Sequence, residues 1–192
     1  MIPENKRAPV EKALLSAFNV HEFDSIQQLT KGLSSALIFK ITVENTPYLL
    51  RVITRTDVMA DPAYYFDCMR SGAEAGLGPK VYYINAEDRI SITGFIEGQP
   101  FAKNEAREKL PQLLRKLHDL PKFRFRINYF DAMEGFIKKF RAANIVEDRL
   151  TKDVFDLYEN LISIYPRNDR ETWVSCHNDL KPENILFDGH RP

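Results

Sequence analysis

Cys176-His177-Asn178-Asp179-Leu180-Lys181-Pro182-Glu183-Asn184-Ile185-Leu186-Phe187 is the stretch on which the reading of this chain turns. A polar loop lies between two short apolar segments, Trp173 to Cys176 and Ile185 to Phe187, and both segments read as strands. Inside it, Asp179 and Asn184 stand five residues apart. Phosphoryl transfer asks little covalent chemistry of a protein; it asks for a positioned nucleophile and neutralised phosphate charge. A carboxylate such as that of Asp179 accepts the proton of an attacking hydroxyl. An amide oxygen such as that of Asn184 holds Mg²⁺ against phosphates. A bare Asp and Asn at this spacing recurs by accident in surface turns. His177, two places before the Asp, and the apolar segments on both sides set this instance apart.

Upstream of the loop the pattern is helical. Leu110, Leu113, Leu114 and Leu117 mark one helix, and Phe130, Met133, Ile137 and Phe140 a second. Val154, Leu157, Tyr158, Leu161 and Ile162 mark a third, with Thr151 or Asp153 as its cap. Before Gly98 the character changes. Val10, Leu14, Leu15, Ala17 and Phe18 keep helical spacing, and from Ala36 to Val43 the period becomes two. Leu37, Phe39, Ile41 and Val43 then share one face, with Lys40 and Thr42 on the other. The turn Glu44-Asn45-Thr46-Pro47 joins this strand to another over Tyr48 to Ile53. A helix over Ala63 to Ala75 stops at Gly76-Leu77-Gly78-Pro79, and Val81 to Ile84 and Ile90 to Thr93 are two more strands. Sheet first and helix after argues for an α+β protein of two lobes joined near residue 95.

The whole composition bounds the possibilities. The chain has 192 residues, 44% hydrophobic and 28% charged, which excludes a disordered tail, a fibre or a low-complexity scaffold. Lys+Arg 27 cancels Asp+Glu 27, so no bulk positive charge points to nucleic acid or an anionic membrane. The opening MIPENKRAPVEK has no apolar core and reads as neither signal peptide nor anchor. Cys68 and Cys176 are too few for a disulfide framework or a zinc site, and read as buried thiols of a soluble, cytoplasmic protein. Trp173 is read with them as core.

H-N-D-L-K-P-E-N resembles the catalytic loop of the protein-kinase-like superfamily. The wider layout resembles its aminoglycoside phosphotransferase and choline kinase branch, from about Leu29 to Phe187. The resemblance implies ATP and Mg²⁺ as cofactors, Asp179 as the base and Asn184 as a metal ligand. It implies an ATP-binding lobe over residues 1–94, and a hinge and partial helical lobe over 95–192. Leu29-Thr30-Lys31-Gly32-Leu33-Ser34-Ser35-Ala36 is similar to the family's phosphate-covering turn, in which Gly32, Ser34 and Ser35 would donate to phosphate oxygens. Arg51 stands where the family places the strand cation for the α/β-phosphates. Gly76-Leu77-Gly78-Pro79 resembles a recurrent family segment; counting from it puts Tyr65, not an acid, where that cation's partner is expected. Phe95 and Ile96 fall at the hinge that meets the adenine edge.

The implied acceptor is a small hydroxyl-bearing molecule, and Arg51 with Asn178 leans toward the choline or ethanolamine type over the aminoglycoside type. Two alternatives are weighed against it. Ser/Thr protein kinases share the D-L-K-P-E-N wording, but Arg51 lacks a V-A-I-K context and no G-x-G-x-x-G precedes it. A pseudokinase would bind nucleotide or a partner without turnover. The sequence ends in Asp188-Gly189-His190-Arg191-Pro192, and Asp-Gly after an apolar strand reads as a hairpin turn. In the family the returning strand leads to a second, metal-binding Asp. The expectation is therefore the front part of a longer kinase, inert or nearly so as these 192 residues alone.

Overall fold

The computed structural model describes residues 1–30, 36–56, 61–100, 103–123, 129–165, 171–181 and 184–187. In chain order the elements are α1 (Glu4–Phe18), β1 (Ser25–Leu29), β2 (Leu37–Val43), β3 (Thr46–Val52), α2 (Pro62–Glu74), β4 (Val81–Asn85) and β5 (Ile90–Gly94). They continue with β6 (Gln99–Pro100), α3 (Lys103–His118), α4 (Tyr129–Ala143), α5 (Asp148–Ile164) and β7 (Leu186–Phe187). Five strands form one antiparallel sheet in the order β1-β2-β3-β5-β4, while β6 and β7 pair separately.

Alternation in β2 does what its period requires: Phe39, Ile41 and Val43 are buried. With Leu50, Val52, Ile90 and Ile92 they form a face covered by Val10, Ala13 and Leu14 of α1. Helix α1 starts at Glu4, earlier than its apolar spacing indicates, and closes on Asn19 in the left-handed region, whose N–H donates to the Leu15 carbonyl at 2.9 Å. Lys12 fastens it to the β4–β5 turn through Asp88 at 2.8 Å. Glu44 and Asn45, both at positive φ, make a two-residue hairpin turn, so Thr46 and Pro47 belong to β3 rather than to the turn.

The opposite face carries α2. Asp61 caps it by accepting the Ala63 N–H at 3.0 Å, and Phe66 with Met69 packs on Ile53, Ala36 and Ile84. Arg51 shares that face by alternation, paired in register with Ile38 on β2 and Ser91 on β5. Strand β1 was not legible in the sequence. It is an edge strand whose side chains are mostly exposed, so its residues carry no apolar alternation.

The chain divides into two compact units, Met1–Arg124 with Val174–Pro192, and Phe125–Trp173. The second holds α4 and α5. Phe140 meets Phe155 edge to face at 6.1 Å between centroids, and the Tyr158 hydroxyl donates to the Phe130 carbonyl at 3.2 Å. Helix α5 begins after Glu147, so Thr151 and Asp153 lie inside it and neither is its cap. No described helix is long and apolar enough to cross a membrane.

Two further expectations are corrected. Trp173 to Cys176 joins no ladder among the described residues. Cys176 is exposed and not a core residue, and Trp173 and Cys68 are half-buried; burial pushes the Cys68 thiol above its ordinary value. His21 Nδ1 sits 2.9 Å from Glu11 Oε1.

Candidate functional site

The loop after Ser175 brings the two residues singled out in the sequence into direct contact. Asn178 adopts φ 63°, a left-handed conformation that Asn tolerates, and turns the chain toward Asp179. The Asp179 N–H donates to His177 Nδ1 at 3.3 Å. Asn184 Nδ2 donates both to the Asp179 carbonyl at 2.8 Å and to its carboxylate Oδ2 at 2.7 Å. That carboxylate oxygen also meets Lys181 Nζ at 3.5 Å. Asn184 therefore commits its NH₂ to Asp179 and keeps Oδ1 as an acceptor. Asp179 and Asn184 are both exposed.

Each end of this loop is fastened. At the exit, β7 pairs with β6, Gln99 opposite Phe187 and Pro100 opposite Leu186, so the loop is tied to the chain just past the hinge. Gly98 permits that approach: a Cβ there would stand 2.8 Å from Leu186 Cβ and 3.3 Å from the Phe187 nitrogen. At the entry, Ser175 is the anchor. Its hydroxyl donates to the Pro121 carbonyl at 2.9 Å and accepts the Phe123 N–H at 3.3 Å.

The chain leaves β5 at Gly94, whose N–H donates to the Lys80 carbonyl at 2.8 Å. Lys40 holds it from the sheet, with its ammonium 4.4 Å from the Phe95 ring centroid and 2.5 Å from Glu97 Oε1. That hydrogen bond, then the charge behind it, keeps the Glu97 carboxyl below the ordinary carboxylate value. Arg51 is half-buried, and its buried Nε has no hydrogen-bond partner among the described residues. Burial lowers the guanidinium's affinity for its proton, the usual penalty on charge away from water.

A cavity of about 450 Å³ opens beside the loop, walled by the Gly76–Pro79 turn, the α3 leucines, Ile96, His177 and Asn184. Of the predicted site residues Ile96 and Asn184 line it, while Arg51, Phe95 and Asp179 are not part of its described wall. Gly32, Ser34 and Ser35 lie outside the described residues, as do Asp188 and Gly189. Tyr65 is exposed on α2, and no ion pair to Arg51 is found among the described residues. Sequence reasoning did not assign Lys40, Ser175 or Lys181. Lys181 stood inside the quoted loop and Lys40 on the polar side of β2, so both were visible as positions but not as contacts.

A sheet with a half-buried arginine stands beside an Asp–Asn loop in one compact unit. The model of the phosphotransferase enzyme family matches residues 25–192, and the chain belongs to that family. Its fold is α+β and protein-kinase-like, shared with choline kinase LicA from Streptococcus pneumoniae at a TM-score of 0.62 and 22% identity, over 92% of this chain and 62% of that one. A choline/ethanolamine kinase family protein from Mesorhizobium loti matches at a TM-score of 0.57 and 19% identity, over 82% of this chain and 53% of that one. A spectinomycin phosphotransferase solved with ADP and spectinomycin matches at 0.58 and 14% identity, over 94% and 64%. The chain thus spans between 53% and 64% of the length of these three structures. No curated protein matches the sequence.

Proposed function

We propose that this chain serves ATP-dependent transfer of a phosphoryl group to the hydroxyl of a small molecule, of choline or ethanolamine type or of aminoglycoside type. The observation that carries the reading is the Asp179–Asn184 contact at 2.7 Å, which puts a proton acceptor and a metal-capable amide oxygen in fixed relation. In this reading Asp179 takes the hydroxyl proton, the alcohol oxygen bonds to the γ-phosphorus, and the bond to the β,γ-bridging oxygen breaks to release ADP. Arg51 pairs with the α/β-phosphates, which would satisfy an Nε without a partner among the described residues. Backbone groups at Phe95 and Ile96 meet the adenine edge, and Gly32, Ser34 and Ser35 cover the phosphates. The functional lobes divide at the hinge, residues 1–94 and 95–192. With ATP as donor, the setting is cytoplasmic.

Mg²⁺ fits the residues present in part. Its preference is for hard oxygen donors, and Asn184 Oδ1 is one. Asn184 would hold the ion together with phosphate oxygens and the second Asp that the family resemblance implies. Bound there, Mg²⁺ would neutralise charge on the phosphates.

The test is a pair of measurements. The wild-type chain is expected to bind ATP in calorimetric titration. In any active form, Asp179→Asn is expected to cut turnover severely and leave ATP affinity within about twofold. Loss of ATP affinity in Asp179→Asn overturns its role as base. ATP binding with no transfer to choline, ethanolamine or an aminoglycoside by a form that includes the whole protein would make it a nucleotide-binding pseudokinase instead.

A further inference from the structure

Between Glu171 and Lys181 every residue is exposed or half-buried except Ser175, which is 2% exposed. Its hydroxyl makes two hydrogen bonds: it donates to Pro121 and accepts from Phe123, partners 54 and 52 residues earlier in the chain. Pro121 and Phe123 follow the end of α3, so this one side chain fastens the entry of the loop to the end of a helix. Buried hydroxyls without partners are costly, and a hydroxyl with both bonds made holds its backbone in one place. From Ser175 the path to Asp179 is short and locally tied. Asn178 is left-handed, the Asp179 N–H is bonded to His177, and Asn184 grips Asp179 through two hydrogen bonds. A rotation at Ser175 therefore moves Asp179 and Asn184 together.

We infer that Ser175 is the positioning residue for the phosphate end of the site: its hydroxyl sets where Asp179 and Asn184 stand and so governs the Mg²⁺-dependent part of nucleotide binding. The inference rests on the kinase reading above. Arg51 and the hinge reside on β3 and after β5, on strands that Ser175 does not bond to, so nucleotide affinity without Mg²⁺ does not depend on it. Ser175 acts through Asp179 and Asn184, because its hydroxyl bonds are to backbone.

Ser175→Thr and Ser175→Val separate hydroxyl from shape, since both add the same bulk and only Thr keeps the donor and acceptor. ATP is titrated into the wild-type chain and both variants, with and without Mg²⁺, alongside thermal melting. Without Mg²⁺ all three are expected to agree within about twofold. With Mg²⁺, Thr keeps the wild-type gain in affinity and Val loses roughly tenfold of it, the scale of losing a group that orients a metal ligand. Equal Mg²⁺ gains in Thr and Val overturn the inference. So does a Val variant that no longer melts cooperatively while Thr does, which would make the hydroxyl a general determinant of folding. A wild type that binds ATP regardless of Mg²⁺ removes Asn184 from the metal and the inference with it. A wild type with no ATP affinity fails the kinase reading itself.

Discussion

Leu50 in β3 and Leu157 in α5 are the same side chain in opposite settings, 0% and 70% exposed. In the sheet the period of two finds its partner inside the same compact unit, where α1 covers the inward face. In α5 one run of apolar residues divides into two adjacent faces. Phe155 and Tyr158 take the contacts with α4, while Leu150, Val154, Leu157, Leu161 and Ile164, at alternating spacings of four and three, stay exposed. Periodicity names the element in both regions. Only the contacts say which residues of an amphipathic pattern hold anything, and that is what separates a folded core from a helix with a bare stripe.

The comparison breaks if equal truncations cost the same. Leu50→Ala is expected to destabilise the chain by about 2–5 kcal/mol in urea unfolding, and Leu157→Ala by no more than about 0.5 kcal/mol. Similar losses at both positions would mean that the α5 stripe is covered in solution. Gly98→Ala comes next, at about 1–3 kcal/mol by overpacking, because the added Cβ meets Leu186 Cβ at 2.8 Å. Its signature is lost protection of the β6–β7 amides in hydrogen exchange while β2 and β3 stay protected. Uniform loss would place the strain elsewhere. In the helical unit, Tyr158→Phe removes one hydrogen bond to the Phe130 carbonyl and should cost about 0.5–1.5 kcal/mol. A neutral result would leave the α4–α5 contact to the aromatic rings alone.

The smallest effect is electrostatic. Glu97 is held below its ordinary value of 4.5 by the Lys40 hydrogen bond first and its charge second. A carboxyl whose folded value lies below its unfolded one stabilises above the unfolded value and loses that contribution as pH falls through the folded value. Glu97→Gln should therefore flatten the wild-type loss of stability below about pH 4.5, without changing stability slopes near neutrality. An unchanged acid limb would mean that the exposed pair contributes nothing.

Much of the fold was legible, for reasons that differ along the chain. β2 carries the alternation that a strand with one buried face demands, β3, β4 and β5 are short runs rich in branched and aromatic residues, and α2 carries a glycine-rich stop. β1 was not legible because an exposed edge strand has nothing to alternate. Trp173 to Cys176 read as a strand because its apolar composition hides that Ser175 bonds to a loop more than fifty residues away. At the site, the Asp179–Asn184 pair was singled out by its spacing together with His177 and the flanking apolar segments. The roles of Lys40 at the hinge and Ser175 below the loop depend on tertiary neighbours that no local pattern encodes. Even so, strand alternation had already put Lys40 on the polar side of β2.

On the proposed reading, Arg51, on the sheet face opposite α1, pairs with the phosphates of ATP. Calorimetric titration of ATP and of adenosine into the wild type and Arg51→Met tests it most directly, since Met keeps much of the buried stem and removes the charge. ATP affinity is expected to fall at least about tenfold, roughly 1.4 kcal/mol, while adenosine affinity stays the same. An Arg51→Met chain that binds ATP as tightly as the wild type would contradict the account.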